Sequence, residues 1–530
     1  MIVSYLAIYF YIDTSHYWVK LGSGITLFNR LIYGVEIPFA VFVTLFFFFP
    51  SFKNPWLRYT LPIVPVLVLY GLIDGFFNYM GRSPHFSDFQ NFNTVFAFSF
   101  GLALSVFLFA FIIPLSMWGL IYGASKRSSR KQIVASVTIR VILMTLMVFV
   151  LSSRTFNQIH NQYFQYTVWS EEDTMRENGK FSSFVYYSNQ ERINQKKLIE
   201  ISANNPILDI HNQLYSGFVE KPQNIHIIVL ESFIDPRLIE QLDLEKQVLA
   251  SELLPYLNNH KDFSHVVSPI YGGGTAQAEF ELLTGLKALS KVNQIEFNVM
   301  KGGAINGFVS RLKQNRYRIM ATIAPSSIFF NSRLAYKSLG LTNIEYLEDD
   351  RERKGLPDDG PLFDGDLLQQ NINKVKQAIA ENNAPLLNYV LGMYGHLPFR
   401  RDEIKRPDVV NVKHEDDRLR RISNQFYYRT KAIAQYLEAL MAIDKNAIIY
   451  ITSDHLPSIL NKNTSYKLNR KINIALMINQ GQSIDVSGKN FYQIPWLIWD
   501  ILSQPSHDRR IQDQDLERLY YKALGESLAL

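Results

Sequence analysis

Hydrophobic and polar positions divide the 530-residue chain near residue 153. Upstream, apolar residues run almost unbroken over 31–49, 59–80, 95–122 and 133–152. A helix needs about 20 such residues to cross a bilayer, so these four runs predict an N-terminal transmembrane α-helical bundle over residues 1–152. Residues 1–12 are apolar but lack a basic start and a small-residue cleavage site, and read as a short fifth membrane segment rather than a signal peptide. Basic residues stay cytoplasmic. Lys126, Arg127, Arg130 and Lys131, and the loop with Lys53 and Arg58, are therefore expected inside, and the chain past Arg154 outside. Lys20 and Arg30 fall on the outer side of that arrangement. Glu36, Asp74 and Arg140 lie in or near the apolar runs, where pairing within the bundle is the plainer reading than lipid handling.

Residues 153–222 are polar, with a helical pattern near Lys196 to Ile201, and read as a partly helical linker lying near the membrane surface. From Asn224 the pattern changes again. Short β-branched runs at Ile225–Leu230, 317–323, 386–391 and 447–451 alternate with helical stretches, which predicts an α/β domain over 223–530.

Composition agrees with two dissimilar parts. Hydrophobic residues make up 47% and aromatics 14%, yet the mean hydropathy of -0.04 is near neutral. The net charge of +6 comes without a basic stripe interleaved with aromatics, so the pattern points away from nucleic acid and towards anionic lipid. There is no cysteine, which excludes thiolate metal sites, thiol nucleophiles and disulfides.

Sites in open α/β sheets assemble beyond the carboxyl ends of strands. Here the first predicted strand is followed by Glu231, the third by Tyr394-Gly395-His396 and the fourth by Thr452-Ser453-Asp454-His455. Adjacent Asp and His on a strand-end turn can reach one divalent ion. Each residue alone also reads as a cap or a solvated side chain. The segment Tyr271-Gly272-Gly273-Gly274-Thr275 precedes a helical pattern ending at Gly285. It places Thr275 at a helix start, where free amides favour an anion, although an N-cap behind a flexible loop is the simpler reading of that segment alone. It lacks the Lys-Ser/Thr ending of a nucleotide P-loop. Together the pieces supply what phosphoryl transfer needs: a hydroxyl nucleophile, oxygen and nitrogen ligands for a cation, and a nearby His.

The chain resembles the lipoteichoic acid synthase family, membrane-embedded phosphoglycerol transferases with a sulfatase-like domain of the alkaline phosphatase superfamily. The resemblance spans the membrane runs, the linker and the domain from about Asn224. Its carriers are the strand ending in Glu231-Ser232-Phe233, the segment Gly274 to Phe280, Tyr336-Lys337-Ser338-Leu339-Gly340, Gly395-His396-Leu397-Pro398-Phe399 and Ser453-Asp454-His455. It implies a mixed, largely parallel sheet, with Glu231, Thr275, Asp454 and His455 holding Mn²⁺ or another divalent cation such as Mg²⁺ or Zn²⁺. Thr275 would also be the nucleophile, and His396 would contact the phosphoglycerol group, with Arg333 as a further phosphate contact. The implied reaction takes glycerol phosphate from phosphatidylglycerol to an envelope glycan or glycolipid, on the outer side of a bacterial inner membrane.

Two positions depart from the family pattern. Ala324-Pro325-Ser326 stands where the family has a His, and Phe330-Asn331-Ser332-Arg333 stands for Trp-Asn-Arg, which displaces the arginine by one. Two other readings remain at this point. One is a phosphoethanolamine transferase of the same fold, many of which carry disulfides; the other is a non-catalytic protein that binds an envelope polymer or assembly partner. A sulfatase would need Cys or Ser in a Cys/Ser-x-Pro-x-Arg context, and none is present. Residues 400–421, dense in both charge signs, read as a solvated loop before an acceptor-binding lid.

Overall fold

The computed structural model describes residues 35, 36, 39, 42, 64–80, 83–84, 130–164, 171–203 and 214–528, the last apart from 216, 241, 245–247, 260, 292–294, 328–330, 352–354, 356–359, 382–383, 460–464 and 504–510. The chain divides into two units, Met1–Gln195 and Lys196–Leu530.

Helices α1 (Val64–Met80), α2 (Arg130–Ser152), α3 (Arg154–Tyr163), α4 (Glu171–Asn178) and α5 (Lys180–Ala203) are described in the first part of the chain. Among the described residues no helix is long and apolar enough to cross a membrane. The described part of the span expected at 59–80 is α1, which has 17 residues. The span expected at 133–152 lies in α2, which also carries Arg130, Lys131 and Arg140. Most of 31–49, all of 95–122 and residues 1–12 lie outside the described residues, as do Lys20, Arg30, Lys53, Arg58, Lys126 and Arg127. Outward-facing apolar side chains nonetheless line α2, including Val141, Ile142 and Leu146, and Phe149 is 72% exposed. Two of the ionisable residues in the apolar runs are paired: Lys180 Nζ meets Asp74 Oδ2 at 2.7 Å, and Glu36 accepts the Ser182 amide at 2.9 Å.

The second unit is built on strands β1 (Ile225–Leu230), β2 (Asp243–Leu244), β3 (Ser264–Val267), β4 (Arg318–Ile323), β5 (Asn343–Tyr346), β6 (Leu386–Gly392), β7 (Val412–Lys413), β8 (Ile448–Ser453), β9 (Ile472–Asn479) and β10 (Gln482–Ile484). Its helices are α6 (Thr275–Thr284), α7 (Phe308–Gln314), α8 (Ser332–Ser338), α9 (Asp364–Glu381), α10 (Asp417–Ile443), α11 (Gln493–Ser503) and α12 (Asp513–Ser527). The main sheet runs β10-β9-β8-β1-β6-β4-β5, with β3 also on β9. The five strands from β8 to β5 are parallel, while β9 pairs antiparallel with β8, β10 and β3. The sheet is therefore mixed and largely parallel.

Strand β1 is buried along its whole length. Ile225, Ile227 and Val229 pack with α6, α7, α11 and α12 on one face, and Ile228 and Leu230 pack with α9 and α10 on the other. A strand apolar on both faces loses little hydrophobic burial if it slips by one residue, so hydrophobicity alone does not fix its register. A buried polar chain does. The Asn388 amide donates to His226 Nδ1 at 3.2 Å, which leaves Nε2–H to donate to Asp444 Oδ2 at 3.0 Å. Asn388 and Asn371 exchange amide bonds of 2.8 and 3.0 Å, and Tyr436 donates to Asn371 at 2.7 Å. A slip would leave several of these groups unpaired, at about 1–3 kcal/mol each.

Candidate active site

The register that pairs Leu230 with both Gly392 and Ser453 brings the ends of β1, β6 and β8 level. Glu231 and Asp454 thus leave the sheet side by side, both buried. Ser232 follows in the left-handed region at φ 47, uncommon for a residue with a Cβ. That conformation lets its amide donate to Asp454 Oδ1 at 2.8 Å while its hydroxyl donates to Glu231 Oε1 at 2.7 Å.

Thr275 reaches this edge from the glycine loop. Gly272, Gly273 and Gly274 all have positive φ, at 77, 152 and 94°, which suits residues without a Cβ. The turn ends at the first residue of α6, where the half-buried Thr275 Oγ1 lies 2.7 Å from Asp454 Oδ2 and 3.1 Å from Glu231 Oε2. One hydroxyl proton faces two carboxylates. His455 completes the group, with Nε2 at 3.4 Å from Glu231 Oε1 and 3.4 Å from Asp454 Oδ2. Its Nδ1 lies 3.1 Å from the Leu456 carbonyl. A carbonyl can only accept, so Nδ1 carries a proton and Nε2 is the nitrogen turned to the carboxylates.

The electrostatics are those of a site suited to a cation. Burial and the facing Glu231 push the Asp454 carboxyl up to about 7. Burial also works to raise Glu231, but the His455 and His396 rings and bonds from Ser232 and Asp454 outweigh it and leave it lowered. His455 is pushed down by burial and more strongly up by Asp454 and Glu231, so it ends raised. Two buried carboxylates this close share a proton or hold a cation. Ligand atoms of Glu231, Asp454 and His455 all lie within 4.8 Å of one another, and tetrahedral ligands about 2.1 Å from an ion stand about 3.4 Å apart. The oxygen and nitrogen donors fit a divalent ion.

Two buried supports hold this edge in place. Arg429, on α10, donates from Nη2 to the Glu231 carbonyl at 2.9 Å and from Nε to Asp364 Oδ2 at 2.6 Å. Gly395 packs against the same point; a Cβ there would stand 2.0 Å from the Glu231 carbonyl oxygen and 2.6 Å from Arg429 Nη1. The second support is Glu279, one turn beyond Thr275. Its Oε1 accepts from Tyr336 and Tyr389 at 2.7 Å each. One carboxyl thus ties the helix of Thr275 to β6, which leads to His396, and to α8, which carries Arg333. Burial pushes Glu279 up to about 7 despite the phenol bonds, with Asp454 and Glu231 adding to the rise.

The remaining expected residues stand apart from the four-residue cluster. His396 is exposed, with Nδ1 2.9 Å from the Leu397 carbonyl, yet its ring helps to lower Glu231. Arg333 is exposed at the start of α8, where its charge acts on Tyr346 and Asp349. Ala324 is buried, its amide bonded to Leu391, and Phe330 lies outside the described residues. Sequence reasoning passed over Ser232, Glu279, Asp364, Tyr389 and Arg429. Glu279 alone left a local signal, an acid flanked by Ala278 and Phe280 one turn after Thr275.

The Sulfatase family model matches residues 223–517. No curated protein matches the chain. Among solved structures, the lipoteichoic acid synthase LtaP from Listeria monocytogenes is 16% identical, with 56% of this chain and 78% of that chain covered and a TM-score of 0.45. The Streptococcus pyogenes phosphoglycerol transferase GacH, in complex with sn-glycerol-1-phosphate, is 16% identical over 63% of this chain and 92% of its own, with a TM-score of 0.44. The C-terminal periplasmic domain of Escherichia coli EcEptC, in complex with Zn, is 13% identical over 55% and 85%, with a TM-score of 0.36. All three scores fall below 0.5.

Proposed function

The chain belongs to the sulfatase family through residues 223–517, and on that premise we propose that it is a metal-dependent phosphotransferase that moves glycerol phosphate from phosphatidylglycerol to an envelope glycan or glycolipid. The observation that carries this reading is the Thr275 hydroxyl held between Glu231 and Asp454 at 3.1 and 2.7 Å. The family name describes sulfate ester hydrolysis, but a threonine is not a formylglycine precursor and the chain has no cysteine.

In the first step Thr275 Oγ attacks the phosphorus of the lipid head group. The bond from phosphorus to the diacylglycerol oxygen breaks, and that oxygen takes up a proton. The Thr275 proton passes to one of the two carboxylates already facing it. In the second step the acceptor hydroxyl attacks the same phosphorus and the Thr275–phosphorus bond breaks. The hydroxyl returns with a proton, which closes a ping-pong cycle. Glu231, Asp454, His455 and Thr275 are the residues to hold a divalent cation such as Mn²⁺ or Zn²⁺, which when bound lowers the hydroxyl pKa and offsets phosphoryl charge. His396, whose ring helps to lower Glu231, is assigned a hydrogen bond to the transferred group or protonation of the leaving oxygen, and Arg333 a phosphate contact.

A lipid donor requires a membrane-bound enzyme. The apolar runs before residue 153 and the outward-facing Val141, Ile142, Leu146 and Phe149 of α2 support anchoring over 1–152, a linker at 153–222 and an extracytoplasmic catalytic domain at 223–530. Ala324, in place of a family histidine, keeps phosphoethanolamine as the second reading for the donor head group. Detergent-solubilised protein given labelled phosphatidylglycerol and a divalent metal should release diacylglycerol, and Thr275→Ala should abolish that release. Full activity in this variant would refute the nucleophile assignment. The mass of a trapped Thr275 adduct separates glycerol phosphate from ethanolamine phosphate.

A further inference from the structure

Helix α10 carries a row of donors that runs past the reaction centre. Arg421, Gln425 and Arg429 stand four residues apart and so share one helix face. Each donates to backbone carbonyls. Arg421 Nη1 reaches Pro398 at 3.1 Å, Gln425 Nε2 reaches Tyr394 at 3.2 Å and Arg400 at 2.8 Å, and Arg429 Nη2 reaches Glu231 at 2.9 Å. The acceptors belong to only two segments, the 394–400 loop and the turn at Glu231.

The middle donor is the telling one. Gln425 is 2% exposed, and the two carbonyls it holds lie on either side of His396 in sequence. One carboxamide thus fastens both ends of the loop that carries an exposed imidazole. Between those ends the backbone is wound tightly. The His396 amide donates to the Met393 carbonyl at 3.1 Å, and the Phe399 amide to the His396 carbonyl at 2.9 Å. Phe399 sits in the left-handed region at φ 61, a conformation that a bulky residue keeps only where its surroundings enforce it. Its ring is buried in a cluster with Leu419 and Ile422 of α10 and with Leu456, the residue after His455.

His396 Nδ1 lies 2.9 Å from the Leu397 carbonyl. A carbonyl only accepts, so Nδ1 carries a proton and Nε2 is the nitrogen left for a ligand. Where that nitrogen points depends on the backbone from 394 to 400. One turn further along the same helix face, Arg429 holds the Glu231 carbonyl. A single face of α10 therefore sets the backbone of a cluster residue and of the His396 loop together.

We propose that Gln425 is a positioning residue for His396. By holding the Tyr394 and Arg400 carbonyls it keeps the imidazole in place relative to the cluster, and its contribution to turnover passes through that ring. The part that His396 plays in turnover rests on the transferase reading; the placement of its loop does not.

Gln425→Leu keeps most of the side-chain volume and removes both donated bonds. Hydrogen–deuterium exchange of the full-length protein, in detergent with divalent metal, reads the loop directly. Peptides covering residues 394–401 should exchange at least tenfold faster in the variant. Diacylglycerol release from labelled phosphatidylglycerol reads the consequence: kcat should fall about tenfold, with KM and bound metal unchanged within twofold. In a His396→Ala background the same substitution should change kcat less than twofold, because two residues that act through one ring do not lose it twice. If Gln425→Leu fails to fold, Arg421→Ala removes the partly exposed outer donor and should move both readouts about threefold in the same direction. Unchanged exchange in the loop, unchanged kcat, or an equal loss of kcat with and without His396 would overturn the proposal. Faster exchange in a protein whose unsubstituted form releases no diacylglycerol would refute the transferase reading and leave the positioning of His396 standing.

Discussion

Two sets of buried acids in the second unit show how similar side chains meet different surroundings. Glu281 and Glu296 are as deeply buried as Glu231 and Asp454. Glu281 accepts the Ala288 and Tyr492 amides at 2.9 and 3.1 Å, and Glu296 accepts the Ser290 amide and the Tyr520 hydroxyl at 3.0 and 3.1 Å. Each fastens a loop, and burial pushes them up to about 8 and about 7. Glu231 and Asp454 instead face each other, an imidazole nitrogen and a hydroxyl. Burial raises a carboxyl in either place; what differs is whether its bonds fasten a loop or its oxygens are aimed at a shared point. Glu279 stands between the two sets, bonded to two phenols yet within the field of Asp454 and Glu231.

Substitution by the isosteric amide tests that distinction. Asp454→Asn should have the largest effect, lowering turnover by about 10⁴-fold and reducing bound divalent metal, read by product formation and elemental analysis. Normal metal content with normal turnover would place the reaction elsewhere. Glu279→Gln keeps an oxygen for both phenols, so its thermal midpoint should stay nearly unchanged. Removing a carboxylate that ionises near 7 should weaken metal binding a few-fold at pH 8 and hardly at pH 6. Equal effects at the two pH values would reduce Glu279 to packing.

Glu281→Gln should leave turnover unchanged, lower stability at every pH because its NH₂ cannot accept the second of the Ala288 and Tyr492 amides, and alter the pH dependence of stability. A carboxyl with a folded pKa of about 8 and a reference value of 4.5 keeps its proton in the folded protein after the unfolded chain has lost it. Its contribution is therefore full below about 4.5 and declines as pH rises towards 8, by at most about 1.4 kcal/mol per unit. Denaturant titrations from pH 5 to 8 should show a shallower decline in the variant. An unchanged slope would mean that Glu281 is already ionised in the folded state.

The legibility of these features in the sequence followed distance along the chain. β1, β4, β6 and β8 announced themselves as short β-branched runs, and Glu231, Asp454 and His455 were legible because each directly follows one of them. Thr275 needed only the adjoining glycines. β9 escaped because Ile472 to Ile478 is an apolar run that a buried helix would also show. Arg429 and Asp364 escaped for a different reason: they meet 65 residues apart in sequence, and Arg429 reaches Glu231 from 198 residues away. No local pattern records such a pairing. The ion pairs within the charged run at 400–421 likewise leave no local pattern, since they form only once the run has folded.

The placement of β1 between β6 and β8 also sets an order of events. Ser232 and Asp454, which bond to each other at the cluster, are 222 residues apart. A chain made from its N-terminus has Glu231 and Thr275 in hand long before β8 exists, and until β8 pairs with β1 the threonine has neither Asp454 nor His455 beside it. The four-residue cluster is thus incomplete until the C-terminal third of the chain has been made.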